Sequence, residues 1–446
     1  MKDFTTGNET RLILNFAIPM ILGNVFMQLY QFVDSIIVGQ YLGKEALAAV
    51  GASTPVIFMI ISLIMGIGVG ASVVVSQYFG AKEYEKVRAT CDTIFVFLFV
   101  AGVAVTVLGT LFSRNILALM GLPDDVLPHA TEYLRIYFLG SILLFGYNAV
   151  SAMLRGVGDS KTPLYFLIVA SVLNVGLDLF FILVLDWGVA GAAWATIISQ
   201  GMSFLLCVVY VNWKGEVIRV RFSRKGFDWA IFRQCVRLGL PTGLQQMFVG
   251  AGNTAMMSIV SGFGTNVIAA YTAASRIDMF ASLPIMNFSG ALTSFVGQNI
   301  SVGRFDRIKA GLRSTLLMSV ACCVFINLSI IVFARPLIGI FTSDPAVIDY
   351  GRQTLIIMNS FYFIFAVMFT FNGALRGAGA AVVPMLTTLL SLWIIRVPAA
   401  AIFSRWFGEV GIWWAVPVGW FPGALCAIGY YLSGRWKNKS VVFKGD

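Results

Sequence analysis

Long apolar stretches follow one another along the whole chain, each separated from the next by a short charged or glycine- and proline-rich segment. Each is at least as long as the roughly 20 residues that a helix needs to cross a bilayer. The apolar residues run on over helix lengths instead of alternating, which favours a helical bundle over a β-barrel. The pattern predicts twelve spans, numbered 1 to 12 in chain order, at residues 12–38, 46–74, 90–112, 131–154, 163–185, 188–212, 237–261, 268–297, 311–334, 350–374, 382–404 and 410–433.

Composition agrees with this pattern and excludes several classes of protein. Of the 446 residues, 58% are hydrophobic and only 12% are charged, against roughly 25% charged in soluble domains. We therefore expect an all-α integral membrane protein in contact with the lipid bilayer. The six cysteines include no Cys-x-x-Cys pair, so they indicate small buried residues and no zinc or redox site.

Lysine and arginine are concentrated in alternate loops. If the N-terminus is cytoplasmic, most of the 31 basic residues fall in loops on the cytoplasmic side. Because positive loops are retained inside, this asymmetry predicts that both termini are cytoplasmic. The net charge of +10 then reflects topology, and we expect no nucleic-acid partner.

The second half of the chain repeats the first at an offset of 221 residues, the spacing from Arg155 to Arg376. Residues 155–158 (Arg-Gly-Val-Gly) match 376–379 (Arg-Gly-Ala-Gly). An even number of spans per repeat gives both halves the same orientation, so we predict two pseudo-symmetric six-helix lobes. Their predicted bounds are an N-lobe at 1–213 (spans 1–6), a basic cytoplasmic linker at 214–236 and a C-lobe at 237–446 (spans 7–12).

The repeat favours a transporter over an enzyme. Transporters built from repeats bind substrate near the interface of the repeats and alternate access to it. The only histidine is His129, in an outside loop beside Pro128, which disfavours a His-based triad and leaves no His-x-x-x-His metal motif, and the chain has no Walker motif for ATP. We therefore expect no enzyme activity and no cofactor, and transport driven by an ion gradient.

Span 1 has a polar face that ends in an acid. Asn24, Gln28, Gln31 and Asp34 fall within an arc of about 120°. A carboxylate inside a span is costly, so Asp34 is a functional candidate by default. Pro19, earlier in the same span, is a candidate hinge through which the charge of Asp34 could change the shape of a cavity.

A second acid lies in span 5. Asn174 precedes Asp178 by one helical turn, and Thr196 in span 6 adds a hydroxyl oxygen. Together with Asp34 these groups suit H⁺ or Na⁺, because a buried carboxylate can carry a proton and hard cations prefer oxygen ligands. At the equivalent positions of the second half, 255 and 399, both acids are replaced by alanine. The duplicated scaffold therefore does not require the acids. We therefore predict an ion site in the N-lobe.

The C-lobe has its own charges in span 8, Arg276 and Asp278, which have no counterparts in the N-lobe. They are candidates for the substrate cavity or for coupling, and two interpretations stay open. They form a local ion pair, or Arg276 sets the charge of the cleft and alternates as partner of an N-lobe carboxylate. Arg396 in span 11 is expected to extend toward an interface.

These features resemble the multidrug and toxic compound extrusion (MATE) family over nearly the whole chain. The most specific match is residues 155–163, Arg-Gly-Val-Gly-Asp-Ser-Lys-Thr-Pro, and turns like Val-Gly-Gln after spans 2 and 8 support it. The sequence is most similar to the DinF-like branch of prokaryotic members, whose N-lobe cation site corresponds here to Asp34, Asn174, Asp178 and Thr196. Spans 7 and 10, which hold the acids of the NorM-like branch, contain no acid here.

The resemblance implies an antiporter that exports small amphipathic compounds or drugs in exchange for H⁺ or Na⁺ by alternating access. It also implies a monomer in the prokaryotic plasma (inner) membrane. If the coupling ion is Na⁺, the same four residues would be its ligands. An alternative within the superfamily is a flippase for a lipid-linked precursor, although only Arg276 and Arg396 could line its cleft with positive charge. A channel or receptor would not need a duplicated scaffold.

Overall fold

The protein is described here by a computed structural model that covers residues 2–214, 217–219 and 227–442, in which helices predominate and no β-strand occurs. The first half contains α1 Glu9–Ile37, α2 Gly43–Gly80, α3 Tyr84–Leu119, α4 Leu127–Leu139, α5 Ser141–Gly156, α6 Lys161–Leu179 and α7 Gly188–Lys214. The second half contains α8 Trp229–Ser261, α9 Thr265–Ile300, α10 Phe305–Val332, α11 Ala334–Gly339, α12 Pro345–Ser360, α13 Tyr362–Gly377, α14 Val382–Leu389, α15 Val397–Phe407 and α16 Glu409–Leu432. Shorter π-helical segments are Val38–Leu42, Phe180–Val184 and Leu390–Arg396, and a 3₁₀ turn covers Arg435–Lys439.

These helices make the twelve predicted spans. Within the described residues, nine helical stretches are long and apolar enough to cross a bilayer, and two bent pairs bring the number to eleven. The twelfth is α8, whose 33 residues give a length of about 50 Å. Its arginines and amides, among them Arg233, Arg237 and Gln245, make it less apolar than the others. The predicted all-α membrane fold is confirmed.

Several helices extend beyond the predicted spans. The third span was expected at 90–112, whereas α3 covers Tyr84–Leu119. Hydropathy detects only the part of a helix inside the hydrocarbon core, while backbone hydrogen bonds continue into the interface. Charged residues such as Lys86 are therefore part of the helix although they end the apolar run.

Two spans are bent. The fourth span is divided into α4 and α5 with a bend of 50° at Gly140, and the tenth into α12 and α13 with a bend of 48° at Phe361. The N–H of Gly140 is shared between the carbonyls of Ile136 and Tyr137, at 3.4 and 3.2 Å, so the regular ladder is interrupted there. A hydropathy pattern does not predict this break, because both sides are apolar.

The internal repeat is present in the backbone. The two bends fall at equivalent positions, and α5 and α13 begin and end at equivalent residues. Turn residues with positive φ recur at the same offset, as in Gly158 (79°) and Gly379 (94°), and even in Lys82 (61°) and Gly303 (67°). Such φ values are costly for residues other than glycine. The two halves therefore share their turn conformations as well as their sequence motifs.

The repeat extends to helix packing. A Cβ atom on Gly156 would lie 2.7 Å from the Val75 side chain, and one on Gly377 would lie 3.0 Å from the side chain of Val296. The partners of the two glycines are themselves equivalent in the repeat. Without a side chain at either position, each pair of helices can approach closely. The duplicated scaffold thus conserves its closest contacts.

The contacts of the chain divide it into two compact units. Unit 1 contains Met1–Lys2 and Leu22–Gly239, and unit 2 contains Asp3–Ile21 and Leu240–Asp446. The first half of α1 thus belongs to unit 2, whereas the sequence predicts it in the N-lobe. Ile13 and Phe16 are buried with Phe295 in a core cluster of unit 2. Apolar residues at these positions could pack in the core of either lobe. Hydropathy therefore does not show to which lobe the first half of α1 belongs.

The predicted linker at 214–236 is partly helical. The helix α7 continues to Lys214, and α8 already begins at Trp229. Asp228 caps α8, since its Oδ1 accepts hydrogen bonds from the N–H groups of Ala230 (2.7 Å) and Ile231 (3.1 Å). Residues 215–216 and 220–226 of the predicted linker lie outside the described residues.

Candidate functional site

The two predicted acids of the first half lie together in unit 1. Asp34 is near the end of α1, and Asp178 is near the end of α6, immediately before the π-helical segment Phe180–Val184. Their carboxyl groups are within hydrogen-bonding range of each other. Asp178 is fully buried, with 0% of its surface exposed. The structure therefore joins two carboxyl groups that are far apart in the sequence.

This carboxyl pair lacks other polar partners. Among the described residues, no donor reaches Oδ1 of Asp34 or either carboxyl oxygen of Asp178. The side-chain amide of Asn174, one turn before Asp178 and only 2% exposed, is also without a partner there. An apolar cluster that includes Val33 and Ile197 packs nearby. Two carboxylates this close repel each other in apolar surroundings, so the pair is suited to hold a proton or a cation between them.

Thr196 lies on the helix that faces this pair. A long hydrogen bond of 3.5 Å runs from the Gln200 amide on α7 to the Tyr30 hydroxyl on α1. Spans 1 and 6 run in opposite directions. Thr196, one turn before Gln200, is therefore expected at the level of Asp34, one turn after Tyr30. The Thr196 hydroxyl donates to the Ala192 carbonyl at 3.1 Å, which leaves its oxygen lone pairs available to a cation.

The donor set suits a small monovalent cation. It consists of two carboxylates, one side-chain amide and one hydroxyl. Each of these groups can offer an oxygen atom as a ligand. Within the part of the chain that the structure describes, no group of three or more His, Cys, Asp or Glu side chains could hold a metal ion. Oxygen ligands of this kind fit Na⁺, and the carboxyl pair alone can share a proton.

The other polar residues of span 1 differ in their exposure on α1. Gln31 is exposed, while Asn24 and Gln28 are half-buried. Gln31 lies within hydrogen-bonding range of the Tyr30 hydroxyl, so it contacts the site through that residue. Pro19 is inside α1 and about 22 Å before Asp34 along the helix axis. The division between the two units falls two residues after it, between Ile21 and Leu22.

Three tyrosines near the carboxyl pair are absent from the sequence-based site. Tyr133 of α4, only 6% exposed, is an electrostatic neighbour of both acids and of Tyr30. Tyr137, one turn further along α4, packs on Tyr133 with ring centroids 6.3 Å apart. A signal for them exists: Tyr30 precedes Asp34 by one turn, and Tyr133 and Tyr137 are four residues apart in a predicted span. What the sequence does not show is that the fold brings Tyr133 of α4 close to both acids.

Arg276 and Asp278 do not pair with each other. Among the described residues, the ion pairs are Lys86–Glu83 and Arg307–Glu9. Two residues on a helix that are two positions apart point about 200° away from each other. Asp278 lies within hydrogen-bonding range of the Tyr362 hydroxyl, and Arg396 is its electrostatic neighbour. Arg276 is exposed on the opposite side of α9. The interpretation as a local ion pair is therefore not supported.

Comparison with known proteins identifies relatives along the whole chain. A family model described as MatE matches residues 19–180 and 241–402, once in each half. The probable multidrug resistance protein YpnP of Bacillus subtilis is 35% identical over 435 residues, which cover 98% of this chain and 97% of YpnP. The probable multidrug resistance protein NorM of Thermotoga maritima is 29% identical, over 96% of this chain and 94% of that protein.

Solved structures share the fold over the same extent. A crystal structure of MATE in the bent conformation superimposes with a TM-score of 0.92 and 25% identity, covering 98% of both chains. The outward-facing structure of a multidrug resistance MATE family transporter of the MOP superfamily gives a TM-score of 0.90 and 26% identity, covering 98% of this chain and 97% of that one. Each similarity includes both units.

Proposed function

The chain belongs to the MatE family of multidrug efflux transporters, and on this premise we propose that it exports amphipathic organic compounds in exchange for H⁺ or Na⁺ by alternating access. It is a membrane transporter and not an enzyme. The observation that carries the proposal is the carboxyl pair of Asp34 and Asp178, two acids within hydrogen-bonding range of each other and without other donors among the described residues.

The coupling follows from the charge of this pair. Without a cation, two adjacent carboxylates repel each other, which favours a conformation that separates them or admits positive charge. Binding of H⁺ or Na⁺ removes the repulsion and favours the closely packed arrangement. A ligand shifts a conformational equilibrium only by its difference in affinity for the two states. If substrate prefers the cation-free state, cation and substrate weaken each other's binding reciprocally, and exchange results.

Helix irregularities next to the acids support a route for this change. A π-helical segment, Val38–Leu42, directly follows α1, and another, Phe180–Val184, directly follows α6. Such wide turns are common at functional sites because their backbone hydrogen bonds rearrange easily. Pro19 lowers the cost of bending on the other side of Asp34. We propose that α1 changes shape between these two weak points when the pair binds its cation.

We also propose the remaining features that the sequence predicts. They are a monomer in a prokaryotic inner membrane with both termini cytoplasmic, membership of the DinF-like branch, and a cation site confined to the first six-helix lobe. The basic residues of the cytoplasmic loops and the absence of acids from spans 7 and 10 support these proposals.

The test is efflux from proteoliposomes under separate pH and Na⁺ gradients. The wild-type protein should export a fluorescent amphipathic dye under one of the two gradients. Asp34→Asn and Asp178→Asn should each reduce gradient-driven export at least about tenfold, because a single carboxylate binds the cation too weakly. Asp125→Asn, in an exposed loop, is the matched control. Undiminished coupled export by both site variants would contradict the proposal, and dependence on neither gradient would exclude antiport.

A further inference from the structure

Arg276 is an exposed arginine within a spanning helix of unit 2. It lies about 17 Å along α9 from Thr265, and the hydrocarbon core of a bilayer is about 30 Å thick. Thr272 and Phe280, one turn to either side on the same face, are exposed as well. An arginine at this depth is costly against lipid, so it is expected to face water-filled space. We therefore expect Arg276 and this stripe of α9 to face water instead of lipid.

No acid among the described residues of unit 2 forms an ion pair with Arg276. Among the described residues, Arg276 takes part in no ion pair. Asp278, the nearest acid in the sequence, points to the other side of α9, where Tyr362 and Arg396 are its electrostatic neighbours. The preceding helix, Trp229–Ser261, contains no Asp or Glu at all. The guanidinium group of Arg276 thus has five N–H donors and no carboxylate partner among the residues of its unit that the structure describes.

The helix that precedes α9, α8, has exposed side chains that are polar but uncharged at a similar depth. Asn253, Thr254 and Ser258 are exposed there. A turn of three residues joins α8 to α9, and Asn253 lies about 12 Å from the end of α8, a depth similar to that of Thr272. At this depth the exposed side chains of the two helices therefore combine amide and hydroxyl groups with the positive charge of Arg276, while Arg233 and Arg237 lie near the other end of α8.

The internal repeat indicates that the fold does not require this arginine. The position equivalent to Arg276 in the first half is Pro55, which is also exposed. The acids of the carboxyl pair also have no acidic counterpart in the other half, where the equivalent positions 255 and 399 are alanines. A charge that is costly in a span, exposed, unpaired and absent from the other repeat is best explained by a ligand.

We propose that Arg276 binds the acidic group of a transported compound, and that the substrates of this protein therefore include anionic or zwitterionic amphipaths. A planar guanidinium pairs with a carboxylate, phosphate or sulfonate through two parallel hydrogen bonds. The polar groups of α8 would receive neutral oxygen or nitrogen atoms of the same molecule. This inference rests on the proposed function and specifies its substrate class. The acidic group has two sources, a free solute or a lipid headgroup phosphate.

The test compares three probes in proteoliposomes under the driving gradient. They are fluorescein, an anionic dye; ethidium, a cationic dye; and phosphatidylglycerol with a fluorescent acyl chain. Arg276→Gln should reduce export of the anionic probe at least about tenfold and leave ethidium export unchanged or higher. Arg276→Lys keeps the charge and should retain more export than Arg276→Gln. Arg405→Gln, an exposed arginine in the last turn of α15, is the matched control.

The outcomes separate this inference from the proposed function. An effect of Arg276→Gln on the lipid probe alone would assign the acidic group to a headgroup, and an effect on fluorescein alone would assign it to a solute. Equal loss of all probes, with no recovery in Arg276→Lys, would mean a structural role and overturn the inference. So would unchanged fluorescein export in Arg276→Gln. If the export rate of every probe by the wild-type protein is the same with and without each gradient, the proposed function is wrong. Fluorescein anisotropy with the purified protein then decides whether Arg276→Gln weakens binding about tenfold, as the inference requires.

Discussion

Replacement of Asp178 by Asn is expected to stabilise the cation-free protein although it abolishes coupled export. Asp34 and Asp178 lie within hydrogen-bonding range of each other, and no other donor reaches Asp178 among the described residues. When both carboxyl groups are deprotonated and no Na⁺ is present, they repel each other. Asn has nearly the same shape as Asp and can donate a hydrogen bond to Asp34, so the substitution exchanges repulsion for attraction.

The size of the effect follows from the geometry. Two unit charges about 4 Å apart repel by about 4 kcal/mol at the effective dielectric constant of ~20 that suits protein sites. Asp34 is half-buried, so solvent screens part of this energy. We expect about 1–3 kcal/mol of the repulsion to remain in the free energy of unfolding. For a unit of this size, 1 kcal/mol shifts the unfolding temperature by about 2–4 °C.

The assay is thermal unfolding of the detergent-purified protein, followed by tryptophan fluorescence. In sodium-free buffer at alkaline pH, Asp178→Asn should unfold several degrees above the wild-type protein. A saturating concentration of the coupling ion should stabilise only the wild-type protein, because a ligand that binds the folded state raises its stability. The difference between the two proteins should therefore shrink or reverse. Asp125→Asn should behave as the wild type throughout. A cation-free Asp178→Asn protein that is no more stable than the wild type would refute the reasoning about repulsion.

Two further predictions concern the surroundings of the site and the scaffold. Tyr30→Phe removes the hydroxyl bonded to Gln200 and should raise the coupling-ion concentration at half-maximal export about two- to fivefold. The control Tyr41→Phe, which changes an exposed tyrosine, should leave this concentration unchanged. The same half-maximal concentration in both variants would contradict a role for the bond. Gly377→Ala should destabilise the protein by about 1–3 kcal/mol, because the new methyl group would meet the Thr293 carbonyl and the Val296 side chain. Gly429→Ala, which has open space around it, should be neutral in the same thermal unfolding measurement.

Much of the fold could be predicted from the sequence because the bilayer imposes a simple rule. A spanning helix must be apolar over a length fixed by the membrane, so spans can be counted in one dimension. The repeat was visible for a related reason, since turns such as Gly158 and Gly379 need residues that tolerate positive φ in both halves. The bends at Gly140 and Phe361 were not predictable, because they lie within continuous apolar runs.

The candidate site was predictable as a set of residues but not as a set of contacts. A carboxylate within a span is so costly that Asp34 and Asp178 stood out without coordinates. Their proximity depends on the contact of α1 with α6, and the part played by Tyr133 depends on a fold that brings α4 close to both acids. These neighbours come from distant parts of the chain, and an apolar helix face can pack against many partners with similar energy.

The sequence by itself determined that this protein is a helical membrane transporter with a duplicated scaffold and a few charges that the scaffold does not need. Hydropathy, basic loops and internal repeats are local properties, and each can be read from the order of residues. The tertiary structure alone decided which charges meet. It joined Asp34 to Asp178 and turned Asp278 toward Tyr362, while Arg276 was left exposed and unpaired among the described residues. The physical reason is that pairing depends on helix rotation and on neighbours across the fold, which no one-dimensional pattern contains.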